Sequence, residues 1–129
     1  MDNNYVDQAQ MVMENLSHDK NMVTTSQIRK FLTAVNTVSG KVDQFRNSGK
    51  GDTLPEDLQM QVKFLKVKLA YQIGRDKSKG GTNVEKFSKN AGLMNKIDNI
   101  GSSMEKYESF ARYVEALVAF HKFYGGADN

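Results

Sequence analysis

Ser26, Arg29, Lys30, Thr33, Asn36, Thr37 and Lys41 fall on one side of a helix when successive residues turn by about 100°. No carboxylate occurs anywhere in residues 26–41. A solvated helix face normally mixes signs, because opposite charges at i and i+4 support each other. Hydroxyls, an amide and cations without acids are the donor set that phosphate oxygens accept. The competing reading is an ordinary wet face whose composition is chance. A second concentration of positive charge lies further on. Residues 60–89 hold Lys63, Lys66, Lys68, Arg75, Lys77, Lys79, Lys86 and Lys89 against Asp76 and Glu85, a net of +6. Residues 1–19 hold Asp2, Asp7, Glu14 and Asp19 and no base, a net of −4, and the whole chain carries +3. An anionic partner would therefore bind the middle of the chain. The alternative there is a lysine face turned to water.

Catalytic chemistry finds little to work with. The absence of cysteine excludes disulfides, thiolate zinc sites and thiol nucleophiles. His18 and His121 are the only imidazoles, too far apart in sequence to suggest a histidine-rich metal site. The carboxylate pairs Glu105/Glu108 and Glu56/Asp57 sit on polar faces beside bases, with nothing to raise a pKa for acid–base work. GKGDT at 49–53 lacks both the Gly-Lys-Ser/Thr ending and the preceding strand of a phosphate loop. No catalytic residue, metal ligand or cofactor is expected. The longest apolar run, 116–120, is far short of the roughly 20 residues that cross a bilayer. The opening MDNNYVDQ does not read as a secretory signal. These features predict a cytoplasmic protein with no membrane partner.

The elements that position these side chains are helices. Hydrophobic residues form 39% of the 129-residue chain and charged residues 26%, which suits a modest single core and not a disordered chain. Apolar residues recur at three and four, and strand-like alternation is absent. The fold class expected is all-α: a compact bundle of five or six helices, one domain over residues 1–129, with 1–22 its least determined segment. Val6, Ala9, Met13 and Leu16 mark a short first helix. Thr24, Thr25 or Ser26 caps a second, whose core face is Ile28, Phe31, Leu32, Val35, Val38, Val42 and Phe45. Gly40 weakens it midway. After a loop at 47–53, Asp52 or Thr53 opens a third helix with Pro55 in its first turn, running to about Gly74. DKSKGG at 76–81 is predicted as a mobile basic loop. Thr82 with Glu85 and Ser102 with Glu105 read as capping boxes for later helices. Gly92 stops one helix, Gly101 follows a short one, and Gly125 with Gly126 stops the last.

Two helices carry more apolar surface than one core face needs. On the third, Leu58, Val62, Leu65, Leu69 and Ile73 form one stripe, and Met60, Phe64, Val67 and Tyr71 nearly the opposite one. Such a helix is either central in the bundle or packed on the core and on a partner as well. Lys63 and Lys66 occupy one polar flank; Gln61, Lys68, Gln72 and Arg75 occupy the other. On the last helix the core face is Tyr107, Phe110, Ala111, Val114, Leu117, Val118, His121 and Tyr124. Ala116, Phe120 and Phe123 widen it, either as core or as an exposed patch. Arg112 stands at ion-pair spacing from Glu108 and Glu115, and His121 reads as a core histidine with a satisfied hydrogen bond.

VTTSQIRKFL at 23–32, FLKVKLAYQIGRD at 64–76 and FARYVEALVAFHKFYGG at 110–126 together resemble the small subunit of type III-A (Csm) CRISPR effector complexes. The resemblance covers the chain from about residue 23 onward and is most specific at the run ending KFYGG. It implies a non-catalytic helical bundle of antiviral defence. Copies would stack head to tail as an inner filament beside backbone subunits that hold the guide RNA. Target RNA would lie in the groove between the filaments. Target cleavage would belong to the backbone subunits, and DNA cleavage and cyclic-oligoadenylate synthesis to the large subunit. Guide pairing reads the sequence, so the protein needs contacts only to backbone and shape. On that reading Arg29, Lys30, Lys66 and Arg75 touch the target RNA backbone, with Lys63 and Lys68 beside them. Two other classes stay open. One is a helix-turn-helix DNA regulator with Ser26, Gln27 and Lys30 facing base edges, although 17–23 lacks a tight glycine turn before that helix. The other is a helical adaptor that binds only protein.

Overall fold

Among the described residues the three-and-four spacing builds six helices: α1 (Tyr5–Ser17), α2 (Thr25–Asn47), α3 (Glu56–Ser78), α4 (Asn83–Ala91), α5 (Leu93–Asp98) and α6 (Met104–Phe123). The structure is a computed structural model that describes residues 4–18 and 22–125. Gly126, expected to help stop the last helix, and the acids Asp2 and Asp19 lie outside the described residues. No strand occurs among the described residues; Thr53 and Ser103 form one isolated antiparallel bridge. The all-α expectation holds. α6 packs on α1 and α2, α2 packs in turn on α3, and α4 and α5 close the remaining side against α1, α3 and α6.

The α2 core face follows its spacing: Ile28, Phe31, Val35, Val38 and Val42 are buried, with Leu32 and Phe45 half-buried. Gly40 leaves the helix unbroken. Its cost of about 1 kcal/mol is small beside the burial of Val38 and Val42 on either side. On α1, Ala9, Met13 and Leu16 are buried as expected. Val6 is instead 46% exposed, and Val12 joins the core.

α6 buries Tyr107, Phe110, Val114, Leu117 and His121, and leaves Ala111, Val118 and Tyr124 half-buried. Its polar core groups are all partnered. The Tyr107 hydroxyl donates to the Val35 carbonyl at 2.9 Å and lies 2.9 Å from the Ser39 hydroxyl. The His121 ring nitrogen Nε2 lies 2.6 Å from the Val23 carbonyl. Met104 and Tyr113 are buried too, though outside the predicted face. The α4–α5 junction covers that side: the Tyr113 hydroxyl donates to the Ala91 carbonyl at 2.8 Å. Burial pushes the phenols of Tyr107 and Tyr113 up to about 12.

The helix ends differ from expectation where tertiary contacts claim the capping residue. Thr24 does cap α2: its hydroxyl accepts from Gln27 N at 3.1 Å, and its own N–H donates to Gln27 Oε1 at 2.9 Å. Neither Asp52 nor Thr53 caps α3. Thr53 is drawn into the bridge with Ser103, and Pro55 takes the cap position. Leu54 N donates to the Ser102 carbonyl at 2.9 Å, which moves the α6 cap one residue on. Ser103 Oγ there accepts from Lys106 N at 3.0 Å.

The largest departure is at 74–82. α3 runs through Gly74 to Ser78, so the first half of the predicted loop is helix. Arg75 and Lys77 in its last turn favour this end of the helix dipole. Asp76 then organises the turn. Its Oδ2 accepts from Val84 N at 3.0 Å, its Oδ1 from Gln27 Nε2 at 3.3 Å, and its carbonyl from Gly81 N at 2.9 Å. Asp76 therefore caps α4, in place of a Thr82 side-chain cap. A Cβ on Gly81 would stand 2.6 Å from Asp76 Oδ1, so a larger residue there would push that carboxylate aside. Gly92 ends α4 at φ +65 and opens α5.

Candidate nucleic-acid interface

α2 and α3 lie side by side and antiparallel. Lys41 Nζ donates to Gln61 Oε1 at 2.8 Å at one end, and Gln72 Nε2 donates to the Gln27 carbonyl at 3.0 Å at the other. Two adjoining concavities run along the surface between them and share Lys30, Tyr71 and Gln72. The first has a volume of about 390 Å³ and adds Ser26, Arg75 and Lys79 to the shared residues. The second, about 460 Å³, adds Thr33, Thr37, Phe64, Val67 and Lys68 and has no carboxylate in its lining. The first has one acid, Asp76, and both of its carboxylate oxygens are already engaged.

The structure therefore gathers Lys30, Lys68 and Arg75 on one surface. Arg29 is exposed on α2 but lines neither concavity. Lys63 and Lys66 lie on the opposite flank of α3. Lys66 is half-buried there and donates to Asp98 of α5 at 2.7 Å. Arg29, Lys30, Lys63, Lys68 and Arg75 form no ion pair among the described residues. Lys79, counted in the basic middle of the chain but not among the residues expected to touch RNA, joins the surface. Its signal was present: positions 68, 72, 75 and 79 keep helical spacing once α3 is extended past Gly74.

Not all eight bases of residues 60–89 are left for a partner. Glu85 takes Lys77 at 2.9 Å and Lys89 at 3.7 Å. The hydrogen bond from Lys77 holds the Glu85 carboxyl below its ordinary value, with the charges of both lysines adding to the effect.

The two apolar stripes of α3 part company. Leu58, Val62, Leu65 and Leu69 are buried, and Ile73 half-buried. Met60, Phe64, Val67 and Tyr71 are 66%, 52%, 52% and 68% exposed. Of the two readings, α3 is the helix packed on the core with a second face left open. On α6, Ala116 and Phe120 are half-buried, whereas Phe123 is 73% exposed against the edges of Phe120 and Tyr124. Glu108, expected to pair with Arg112, pairs with Arg46 of α2, and Arg112 forms no ion pair among the described residues. The cause is the α2–α6 packing, which brings the guanidinium of Arg46 across to Glu108. Gln27, a candidate base reader in a helix-turn-helix arrangement, has its side chain committed to the Thr24 cap and to Asp76.

Among the described residues no group of three or more His, Cys, Asp or Glu side chains is placed to hold a metal. No described helix is long and apolar enough to cross a membrane.

A family model described as Csm2 Type III-A matches residues 2–127. Three similar proteins carry the name CRISPR system Cms protein Csm2. That of Streptococcus thermophilus is 35% identical over 98% of this chain and 96% of its own length. That of Mycobacterium tuberculosis H37Rv is 35% identical over 92% of this chain and 90% of its own. That of Enterococcus italicus is 33% identical over 84% of this chain and 72% of its own.

Proposed function

The chain belongs to the Csm2 Type III-A family, and on that premise we propose that it is the non-catalytic small subunit of a type III-A CRISPR effector complex. In this role it stacks with other copies as an inner filament. It lies against the backbone and large subunits and contacts the backbone of target RNA beside the guide RNA, in antiviral defence. The observation that carries the RNA reading is the continuous α2–α3 surface where Lys30, Lys68, Arg75 and Lys79 stand with hydroxyl and amide donors and one engaged acid. A guide-directed complex must accept any target, and such donors read phosphate and not base identity.

Arg29 extends the cationic track round α2. Lys63 and Lys66 serve the opposite flank of α3, where Lys66 exchanges Asp98 for a phosphate. The exchange is inexpensive, because an exposed ion pair contributes only about 0–1 kcal/mol. The open end of α6 at Phe123 supplies a contact between copies. Phe123→Asp should leave the chain folded, since the ring is exposed, and shorten the filament. The proposal as a whole is tested by affinity purification from the native host. Guide RNA and the backbone subunits should come down with the chain; a chain recovered without either contradicts the role.

A further inference from the structure

The α2–α3 groove is more than a track for phosphate. Two of the side chains lining it are exposed rings, Phe64 and Tyr71, set seven residues apart on α3. That separation is two helical turns, about 10 Å along the axis. Lys68 stands between them, and Lys30 and Thr37 face them from α2. Rings interleaved with cations, with Asp76 the one carboxylate along the groove and both its oxygens engaged, match single-stranded nucleic acid: cations take phosphates, and rings take the faces of bases.

We propose that this groove binds unpaired RNA, seating one base on Tyr71 and a second on Phe64. The inference rests on the RNA reading above and adds to it the strand's state: the groove takes target RNA before it pairs with the guide. Successive stacked nucleotides are about 3.4 Å apart, so rings about 10 Å apart hold bases that are splayed. A paired helix hides its base faces within the stack and offers phosphate and ribose instead. A second copy of this chain suits the groove less well. A copy stacked head to tail would bury Lys30 and Lys68 and would have to bring carboxylates of its own to pair them, whereas an RNA strand brings a phosphate with every nucleotide.

The experiment uses the full chain and three fluorescent probes of equal length: oligouridine, a ribose–phosphate strand carrying abasic sites, and a fully paired RNA duplex. Oligouridine should bind at least about tenfold more tightly than the abasic strand, the range expected for stacking on one or two rings. Tyr71→Ala should remove most of that preference, and Tyr71→Phe should keep it. Lys30→Ala with Lys68→Ala should weaken both single strands alike and flatten their salt dependence. Equal binding of oligouridine and abasic strand overturns the stacking inference and leaves the backbone reading standing. Tighter binding of the duplex than of oligouridine overturns it as well. Binding of none of the probes overturns both readings. If Tyr71→Ala leaves the preference intact and instead abolishes self-association in sedimentation, the groove is a contact between copies and the inference is wrong. Circular dichroism controls for folding, which an exposed position such as Tyr71 should not disturb.

Discussion

The α3–α4 junction and the α2–α3 groove draw on the same run of basic residues and use it in opposite ways. At the junction Lys77 and Lys89 converge on Glu85, and Asp76 ties three elements together through its carboxylate and carbonyl. In the groove Lys30, Lys68, Arg75 and Lys79 stand without an ion pair among the described residues. Net charge by segment cannot separate the two. What matters for an anionic partner is the charge left unpaired, and that depends on which acids the fold brings alongside.

Asp76→Ala should have the largest effect on stability, and that effect falls on the junction. It removes a helix cap and the tie to Gln27. Capping residues contribute about 0.5–2 kcal/mol, and a donor left without a partner adds about 1–3 kcal/mol. A loss of about 2–3 kcal/mol in urea unfolding is expected, with RNA affinity of the folded fraction no weaker, since the one acid in the groove lining is gone. A stable variant with weakened RNA binding would reverse the roles of the two regions.

Lys66→Ala should change stability by less than about 1 kcal/mol, since it removes one exposed pair with Asp98. If Lys66 also meets phosphate, the salt dependence of RNA binding should fall by one contact. Thermal melts and RNA titrations on the same variant separate these two effects.

Lys77→Ala with Lys89→Ala should be the mildest change, visible chiefly in its pH dependence. Glu85 is held below its ordinary value of 4.5. Its contribution is therefore present above that value and is lost as pH falls through the lower folded value. Melting curves of the double variant should show a smaller loss on acidification than the parent, with RNA binding unaltered. An equal acid response in both would mean that these lysines do not hold Glu85 down.

Helix faces were legible in the sequence because burial follows rotation about one axis: the Leu58–Leu65–Leu69 stripe and the Phe31–Val35–Val42 face needed nothing else. Helix ends were less so. Thr53 has the chemistry of a cap, and its bridge to Ser103, fifty residues away, decides otherwise. Ending α3 at Gly74 misses that Lys79 falls in line with Lys68 and Arg75 and that Asp76 is structural, because the propensity of one glycine says nothing of the contacts that offset it. In the site, the cations could be named one by one, but their convergence could not. It depends on the antiparallel register of α2 and α3, fixed by the Lys41–Gln61 and Gln27–Gln72 contacts. Likewise, only the fold brings Asp98 to Lys66.

The most direct test of the contrast is the salt dependence of target-RNA binding by reconstituted complexes, measured with two unrelated guides. Complexes carrying Lys30→Ala with Arg75→Ala should be compared with complexes carrying Lys77→Ala with Lys89→Ala. Each phosphate contact contributes a slope of about −0.7 for a single strand, so the groove pair should flatten the slope by about 1.4 per copy engaged. The loss should be the same for both guides, and the junction pair should leave the slope where it was. A groove variant with unchanged affinity and slope, or a junction variant that loses as much, would contradict the account.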